Sequence, residues 1–292
     1  MVGQSLKGAS WCNSFQAGRV WNPAALVACK MASRCGACAP RLETVAPAGT
    51  FQRLPNHEPR WCAVTRAALD QYPQQPGAGS RHEMTKLALI LIGAGGHANA
   101  CIDVIEQHGQ YQIEGLVGMP AELHTLVLGY KVIATDSALP ELAKLYQSAI
   151  IAVGQIRSSE IRRRLYQQAT KLGFCLPVIV APTAHVSRHA TIGAGTIVMH
   201  GAIVNAGAVV GSNCIINSRA LIEHSATVAD HCHISTGALL NGNVRIGTGS
   251  FVGSGSIIQE GIVLGEGCVV GMGLSVRQDQ RDHAQFLGAD KT

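Results

Sequence analysis

From Val180 to Val276 an aliphatic residue stands at every sixth position without a break. The series is Val180, Val186, Ile192, Val198, Val204, Val210, Ile216, Ile222, Val228, Ile234, Leu240, Ile246, Val252, Ile258, Leu264, Val270 and Val276. A helix repeats at 3.6 residues and a half-buried strand at 2, so neither explains this spacing. A strict period of six is the hexapeptide pattern of a parallel β-helix. Four residues after each anchor the side chain is small, as at Ala184, Ala190, Thr196, Ala202, Ala208, Cys214, Ala220, Ala226, Cys232 and Ala238. One large and one small inward residue per hexad suit a narrow prism. Three residues after the anchor stand Gly195, Gly201, Gly207, Asn213, Gly237, Asn243, Gly249, Gly255, Gly261, Gly267 and Gly273. These residues enter φ > 0 at low cost, so each hexad is expected to turn a corner there. Three hexads make one triangular coil, and the hexads from Val180 through Ser275 make a little over five coils. A glycine-rich antiparallel sandwich is the alternative, but sandwiches have no fixed period.

Upstream the pattern changes. Lys86 to Ile92 is a short apolar run that ends at glycines, as a buried parallel strand does. A helical stretch from Asn99 to about His108 follows, then a strand over Gln112–Val117 and a helix over Ser137–Tyr146. A second buried strand, Ala149–Val153, precedes an amphipathic helix over Ser158–Leu172 that carries Arg162, Arg163 and Arg164 and stops at Gly173. Alternating strands and helices indicate a small doubly wound α/β domain over 84–178. The fold class is therefore α/β plus β-solenoid: a small Rossmann-like domain, a parallel β-helix over 179–277, and a tail over 278–292.

Residues 1–83 look different. They hold nine Lys/Arg against four Asp/Glu, all three Trp, and no acidic residue before Glu43. Cys35 and Cys38 form a lone C-x-x-C, too little for a metal or redox site. Met84 begins a chain with clear periodicity, so the preferred reading is a spurious extension ahead of a start at Met84. A disordered or targeting segment is the alternative. Residues 84–292 balance fourteen Lys/Arg against fourteen Asp/Glu, which gives no electrostatic case for nucleic acid. No apolar run reaches the ~20 residues of a membrane span, and Cys214, Cys232 and Cys268 fall in the small inward slot as reduced packing residues. The expectation is a cytoplasmic protein.

Gly93, Gly95 and Ala98 fit the dinucleotide fingerprint G-x-G-x-x-[GA]. The end of the second strand reads Leu116-Val117-Gly118-Met119, without the carboxylate that a nicotinamide ribose requires, and the domain is half of a full dinucleotide fold. The loop is expected to hold a nucleotide-linked or acidic sugar instead of NAD. The solenoid carries His185, His189, His200, His224, His231 and His233. His224 and His233 both point outward, half a coil apart, and so lie on different sides of one prism; they meet only if a second subunit packs alongside. No spacing stacks three of these histidines as metal ligands.

GAGGHA after the first strand, AVGQIRSSEIRRRLY, and NCIINSRALIEHSATVADHCHISTGALLNG together resemble the sialic acid O-acetyltransferase (NeuD/PglD-type) sugar acyltransferases over residues 86–277. The resemblance implies a left-handed β-helix, a homotrimer, and acetyl-CoA bound between neighbouring β-helices as co-substrate, with no metal. It implies His224 as general base, His233 beside the thioester, Ser254 and Met272 along the CoA groove, and Gly95, Gly96 and His97 as the acceptor-binding loop. Relatives usually carry an acidic residue after the base, where this chain has Ser225; Glu223 and Ser225 are the candidates for tuning its basicity. Many also carry paired acidic residues after the second strand, where this chain has Gly118-Met119-Pro120, which speaks against a uridine-linked sugar. The partners implied are acetyl-CoA and a small sugar acceptor, with transfer to a hydroxyl or an amine. The other functional classes considered are a non-catalytic trimeric sugar-binding scaffold and a γ-class carbonic anhydrase-like metalloenzyme.

Overall fold

The computed structural model describes residues 86–288; the segment 1–83 expected as an extension lies outside the described residues. The α/β domain is built on β1 (Leu87–Ile92), which pairs in parallel with β2 (Tyr111–Gly118) and β5 (Ser148–Ile151). Leu89 to Ile92 are fully buried, because a strand covered on both faces needs an unbroken apolar run. The sheet is completed by β3 (Leu126–Val127) and β4 (Tyr130–Thr135), in the order β3-β4-β2-β1-β5. The sequence reading missed the β3–β4 hairpin. Its two turn residues are Leu128 and Gly129, both at positive φ as a tight hairpin turn requires, and a leucine in the first position hides the signal. Helices α1 (Gly96–His108), α2 (Leu139–Leu145) and α3 (Glu160–Lys171) flank the sheet. α1 ends at Gly109 in the left-handed region, its N–H bonded to the Ile105 carbonyl.

The hexads fold into a left-handed parallel β-helix with three flat faces. Face one stacks Ile179–Val180, Ile197–Val198, Ile215–Ile216, His233–Ile234, Phe251–Val252, Val269–Val270 and Gln285–Phe286. Face two runs from His185–Val186 through Ile203–Val204, Leu221–Ile222, Leu239–Leu240 and Ile257–Ile258 to Ser275–Val276. Face three comprises Thr191–Ile192, Val209–Val210, Thr227–Val228, Arg245–Ile246 and Val263–Leu264. Paired residues such as Ile203 and Leu221 are one coil apart. Each of the eleven Gly and Asn corners sits at positive φ, and so do Arg219, Ser225, His231 and His283 at the same place in the hexad. Coil geometry imposes the conformation there even on side chains that resist it.

The coil does not stop at residue 277. Gln280 bridges Leu264, and Gln285–Phe286 extends face one, so part of the segment expected as a tail is solenoid. The small inward slot is polar along one corner. Thr196 donates to the Gly211 carbonyl (2.7 Å), Cys214 to Ala229 (3.1 Å), Cys232 to Gly247 (3.1 Å), Ser250 to Gly265 (3.0 Å) and Cys268 to Arg281 (3.1 Å). The thiols are thus both packing groups and weak donors to carbonyls at the turns.

Face one is the seat of the α/β domain. Its outward residues Ile179, Ile197 and Ile215 join one core with Leu89, Leu91, Cys101, Ile102 and Ile105. Asp103 of α1 accepts from His200 Nε2 (2.9 Å), whose Nδ1 lies 3.1 Å from the Thr183 hydroxyl, fixing α1 to a corner of the prism.

Candidate active site

The glycine loop leaves β1 at Gly93, whose φ of 124° and contact with the Ala152–Val153 backbone leave no room for a Cβ. Gly95 and Gly96 are different: a Cβ at either would meet nothing within 4 Å. Their bareness serves no packing within this chain. It leaves the N-terminus of α1 open to a ligand, where main-chain N–H groups suit an anionic or hydroxylated group. Beside the loop lies Glu122. A 3-10 turn, Pro120–Glu122, folds its carboxylate back to accept from Met119 N (2.7 Å), close to Gly118 and Ala94. A carboxylate thus stands near the glycine loop although none ends β2, and the Pro-led turn is the signal that the sequence reading passed over.

His97 points from α1 toward face one, its ring centroid 6.4 Å from that of His233. Burial pushes its imidazole down to about 3, with the Arg162 guanidinium and His233 adding to the effect. His97 Nε2 is buried without a hydrogen-bond partner.

His233, expected as an outward residue, is indeed outside the prism but only 7% exposed, because the α/β domain covers it. Its ring rests edge-on against Phe251. Burial brings it down to about 4; the Gln155 carbonyl opposes this and Arg162 adds to it. The ring is therefore neutral at pH 7, and its tautomer follows from its partners. Nδ1 lies 2.6 Å from the Gln155 carbonyl, which can only accept, so Nδ1 carries the proton. Nε2 accepts from the Asn217 amide at 3.1 Å. Gln155 also ties its side chain to the His231 carbonyl (2.7 Å). Gln155 and Asn217 were not singled out from the sequence; nothing in their spacing distinguishes them from other polar residues near a turn.

Asn217 stands on the edge between faces one and two. On the same edge, Ser235 Oγ and Ser254 Oγ are 2.9 Å apart, and one coil beyond Ser254 comes Met272, 79% exposed. A large exposed thioether thus stands one coil from a hydroxyl pair on this edge.

His224 lies elsewhere, on the exposed edge between faces two and three. A Cβ at Gly242, in the next coil, would come within 2.7 Å of its ring, so the glycine makes room for the imidazole. Gly242 is the glycine of a column otherwise filled by side chains, including Ser212, Ser218, Asp230, Thr236 and Thr248; that irregularity was its sequence signal. Glu223 Oε2 accepts from the main-chain N–H of His224 (3.0 Å), and Ser225 takes the corner at φ 60°. Neither Glu223 nor Ser225 is hydrogen-bonded to the imidazole among the described residues. Asp230, the next carboxylate along the chain, accepts from Ser212 N (2.7 Å) on another edge. One chain brings His97 and His233 together, and Ser254 and Met272 together, but keeps His224 apart from both groups. Burial pushes the Cys101 thiol up to about 12 and the Cys232 thiol well upward, so neither is a ready thiolate. No group of three or more His, Cys, Asp or Glu among the described residues is arranged to hold a metal ion.

Residues 88–169 match the family described as the PglD N-terminal domain, and residues 243–278 match the hexapeptide repeat of succinyl-transferase. The acetyltransferase domain of PglB from Neisseria gonorrhoeae, solved in complex with acetyl coenzyme A, is 34% identical. The match covers 69% of this chain and 96% of that one, with a TM-score of 0.64. A histidine-to-asparagine mutant of perosamine N-acetyltransferase from Caulobacter crescentus, in complex with CoA and GDP-perosamine, is 30% identical over 69% of this chain and 93% of that one, with a TM-score of 0.65. A comparison with curated proteins finds no significant match. Both halves of the architecture, and identity at this level over nearly the whole length of solved enzymes, lead to one conclusion: the chain belongs to the NeuD/PglD-type family of acetyl-CoA-dependent sugar acetyltransferases.

Proposed function

We propose that this protein works as a homotrimer that transfers the acetyl group of acetyl-CoA to an amine or hydroxyl of a nucleotide-linked sugar, with His224 as general base. The observation that carries this reading is the separation of complementary parts. His224 stands bare on one edge, and Ser254 and Met272, read here as one half of a CoA groove, stand on another. Face two, between those edges, exposes Ile203 and Ile257 at 39% each, and face three exposes Val209 at 44%. Three prisms packed through these apolar rows would lay the His224 edge of one subunit along the half-groove of the next. CoA then lies along Ser254 and Met272, with the thioester toward His233 and Asn217. The acceptor lies over Gly95, Gly96 and His97, and Glu122 is the carboxylate available to its nucleoside. The GDP-perosamine held by the Caulobacter relative supports a nucleotide-linked acceptor over a free sialic acid.

In this arrangement the acceptor nitrogen or oxygen attacks the thioester carbonyl while His224 takes its proton. A C–N or C–O bond forms, the C–S bond breaks, and the imidazolium returns the proton to the departing sulfur. Imidazole suits both steps at neutral pH. His233, held neutral with both ring nitrogens engaged, serves as a fixed wall of the thioester pocket and not as a second base.

Subunit mixing tests the shared site. His224→Ala alone should cost ~10²–10⁴-fold in turnover with acetyl-CoA affinity retained. Ser254→Phe, which fills the half-groove, should abolish acetyl-CoA binding. Co-refolded in equal amounts, the two inactive chains should regain turnover at about a quarter of wild-type sites, since each site draws its halves from two independent subunits. Mixtures no more active than either chain alone overturn the shared site, and full activity of His224→Ala overturns the base.

A further inference from the structure

Of the three consecutive arginines of α3, Arg162 alone falls on the face of Leu165 and Ala169, at i, i+3 and i+7, and the three differ sharply. Arg163 and Arg164 are exposed, whereas Arg162 is 1% exposed at the seam between the α/β domain and face one. Its Nη1 donates to the carbonyls of Ile151 (2.6 Å) and Val153 (2.8 Å), where β5 leaves the sheet and its carbonyls lose their ladder partners. Its Nε donates to the Asn213 carbonyl of the solenoid (3.1 Å), and the Asn213 amide donates back to the Arg162 carbonyl (3.4 Å). No carboxylate among the described residues pairs with it. Packing alone asks for no charge at such a place, since a buried cation without a counter-ion is costly. A planar fork that reaches carbonyls of both domains is what arginine supplies and lysine or methionine does not.

The segment so held is the one that works on the site. Directly after Val153 come Gly154, where a Cβ would press on the His97 side chain, and Gln155, whose carbonyl holds His233 Nδ1. We propose that Arg162 is a positioning residue for acetyl transfer: it locks the β5–α3 loop onto the solenoid and, through Gln155, sets the ring orientation and tautomer of His233. The catalytic half of this proposal rests on the acetyl-transfer reading above; the structural half does not.

The test is made on the full chain labelled with ¹⁵N-histidine. A ring N–H held against a buried carbonyl should exchange slowly and give a downfield proton resonance, assigned by its loss in His233→Gln. In Arg162→Met that resonance should disappear, and kcat should fall ~10–100-fold, the cost of a misplaced site, while the acetyl-CoA KM changes less than about threefold. Arg162→Lys should recover part of both. If Arg162→Met does not fold, the lysine variant decides alone: a weakened resonance with lowered kcat supports the proposal, and wild-type values of both overturn it. A fall in kcat with the resonance intact, or loss of the resonance at full kcat, also overturns it. If no sugar accepts acetyl from the wild-type enzyme while the resonance still depends on Arg162, the reading of function fails and the anchoring of His233 by Arg162 stands.

Discussion

Face one and faces two and three are made from the same hexad, and the outward residues of faces one and two are mostly apolar, as are Val209 and Val263 on face three, yet the surroundings of face one are opposite to those of the others. Ile197 and Ile215 on face one are fully buried, while Ile203 and Val209, at the same place in the repeat on the other faces, are among the exposed large hydrophobic residues. The repeat therefore specifies what points inward and says nothing of what covers the outside. On face one the cover is the α/β domain, and the histidine beneath it loses its solvent and its charge. On the other faces a single chain supplies no cover, and the histidine at their shared edge stays open. The buried histidine is held in one orientation by its partners on both ring nitrogens; the open one keeps its ring exposed.

The sharpest way to break this contrast is to place a carboxylate on each kind of face. Ile203→Glu combined with Ile257→Glu should leave the chain folded by circular dichroism but monomeric by light scattering, with turnover at background. Ile215→Glu should prevent folding of the seam outright, because an unpaired charge is then buried within the chain. If the face-two variant remains trimeric and active, faces two and three are not the assembly surface.

The next effect is acid sensitivity of the covered face. His97 and His233 titrate at about 3 and about 4 in the folded chain, below the ordinary histidine value. The unfolded chain thus binds more protons than the folded one in this range. The stability gained by keeping each ring neutral is full above pH ~6.5 and declines as pH falls, by at most about 1.4 kcal/mol per pH unit for each ring. Melting temperature should fall steeply from pH 6.5 to 4, and less steeply in His97→Gln. An equal slope in that variant removes His97 from the explanation.

A smaller effect concerns the interior that all three faces share. Ala220 is fully buried in the small slot, so Ala220→Leu should cost ~1–3 kcal/mol and lower the melt by several degrees. The smallest sharpens the open histidine. Ser225 sits at φ 60°, a conformation that aspartate tolerates better than most residues. In Ser225→Asp the added carboxylate favours the protonated imidazole, so the acid limb of the pH–rate profile should move upward by on the order of half a pH unit. An unmoved limb means that the new carboxylate does not face the ring.

The inward anchors and corners were legible because coil geometry admits few residue types there, and the family motifs offered single residues as candidates for the β-helix half of the site. What covers the outside was not legible, because it depends on contacts far apart in the chain. Arg162 was read only as one of three arginines on an amphipathic helix, although its i, i+3, i+7 spacing with Leu165 and Ala169 marks the buried face; only the fold brings Gln155 against His233 and Arg162 against the strand end that leads to it. Glu122 was missed for a related reason, since a local turn carries it back to a place that a strand-end count leaves empty. The positive φ at Arg219 and His231 was equally hidden, because the corner, not the side chain, dictates it.

The α/β domain does more than cover a face. Its contacts at Asn213, at His231 and His233, and at Gly249, where Ser159 packs, fall on three successive coils. A bare solenoid holds each coil only through its neighbours and unravels from either end. Here a second structure clasps the stack from its first rung, at Ile179, to Gly249, so the coils beneath it should be the last to open. The terminal layer at Gln285–Phe286, outside the clasp, is where amide hydrogens should exchange first. The enzyme gains a stiff N-terminal part and a soft C-terminal end from one domain interface, without any change in the repeat itself.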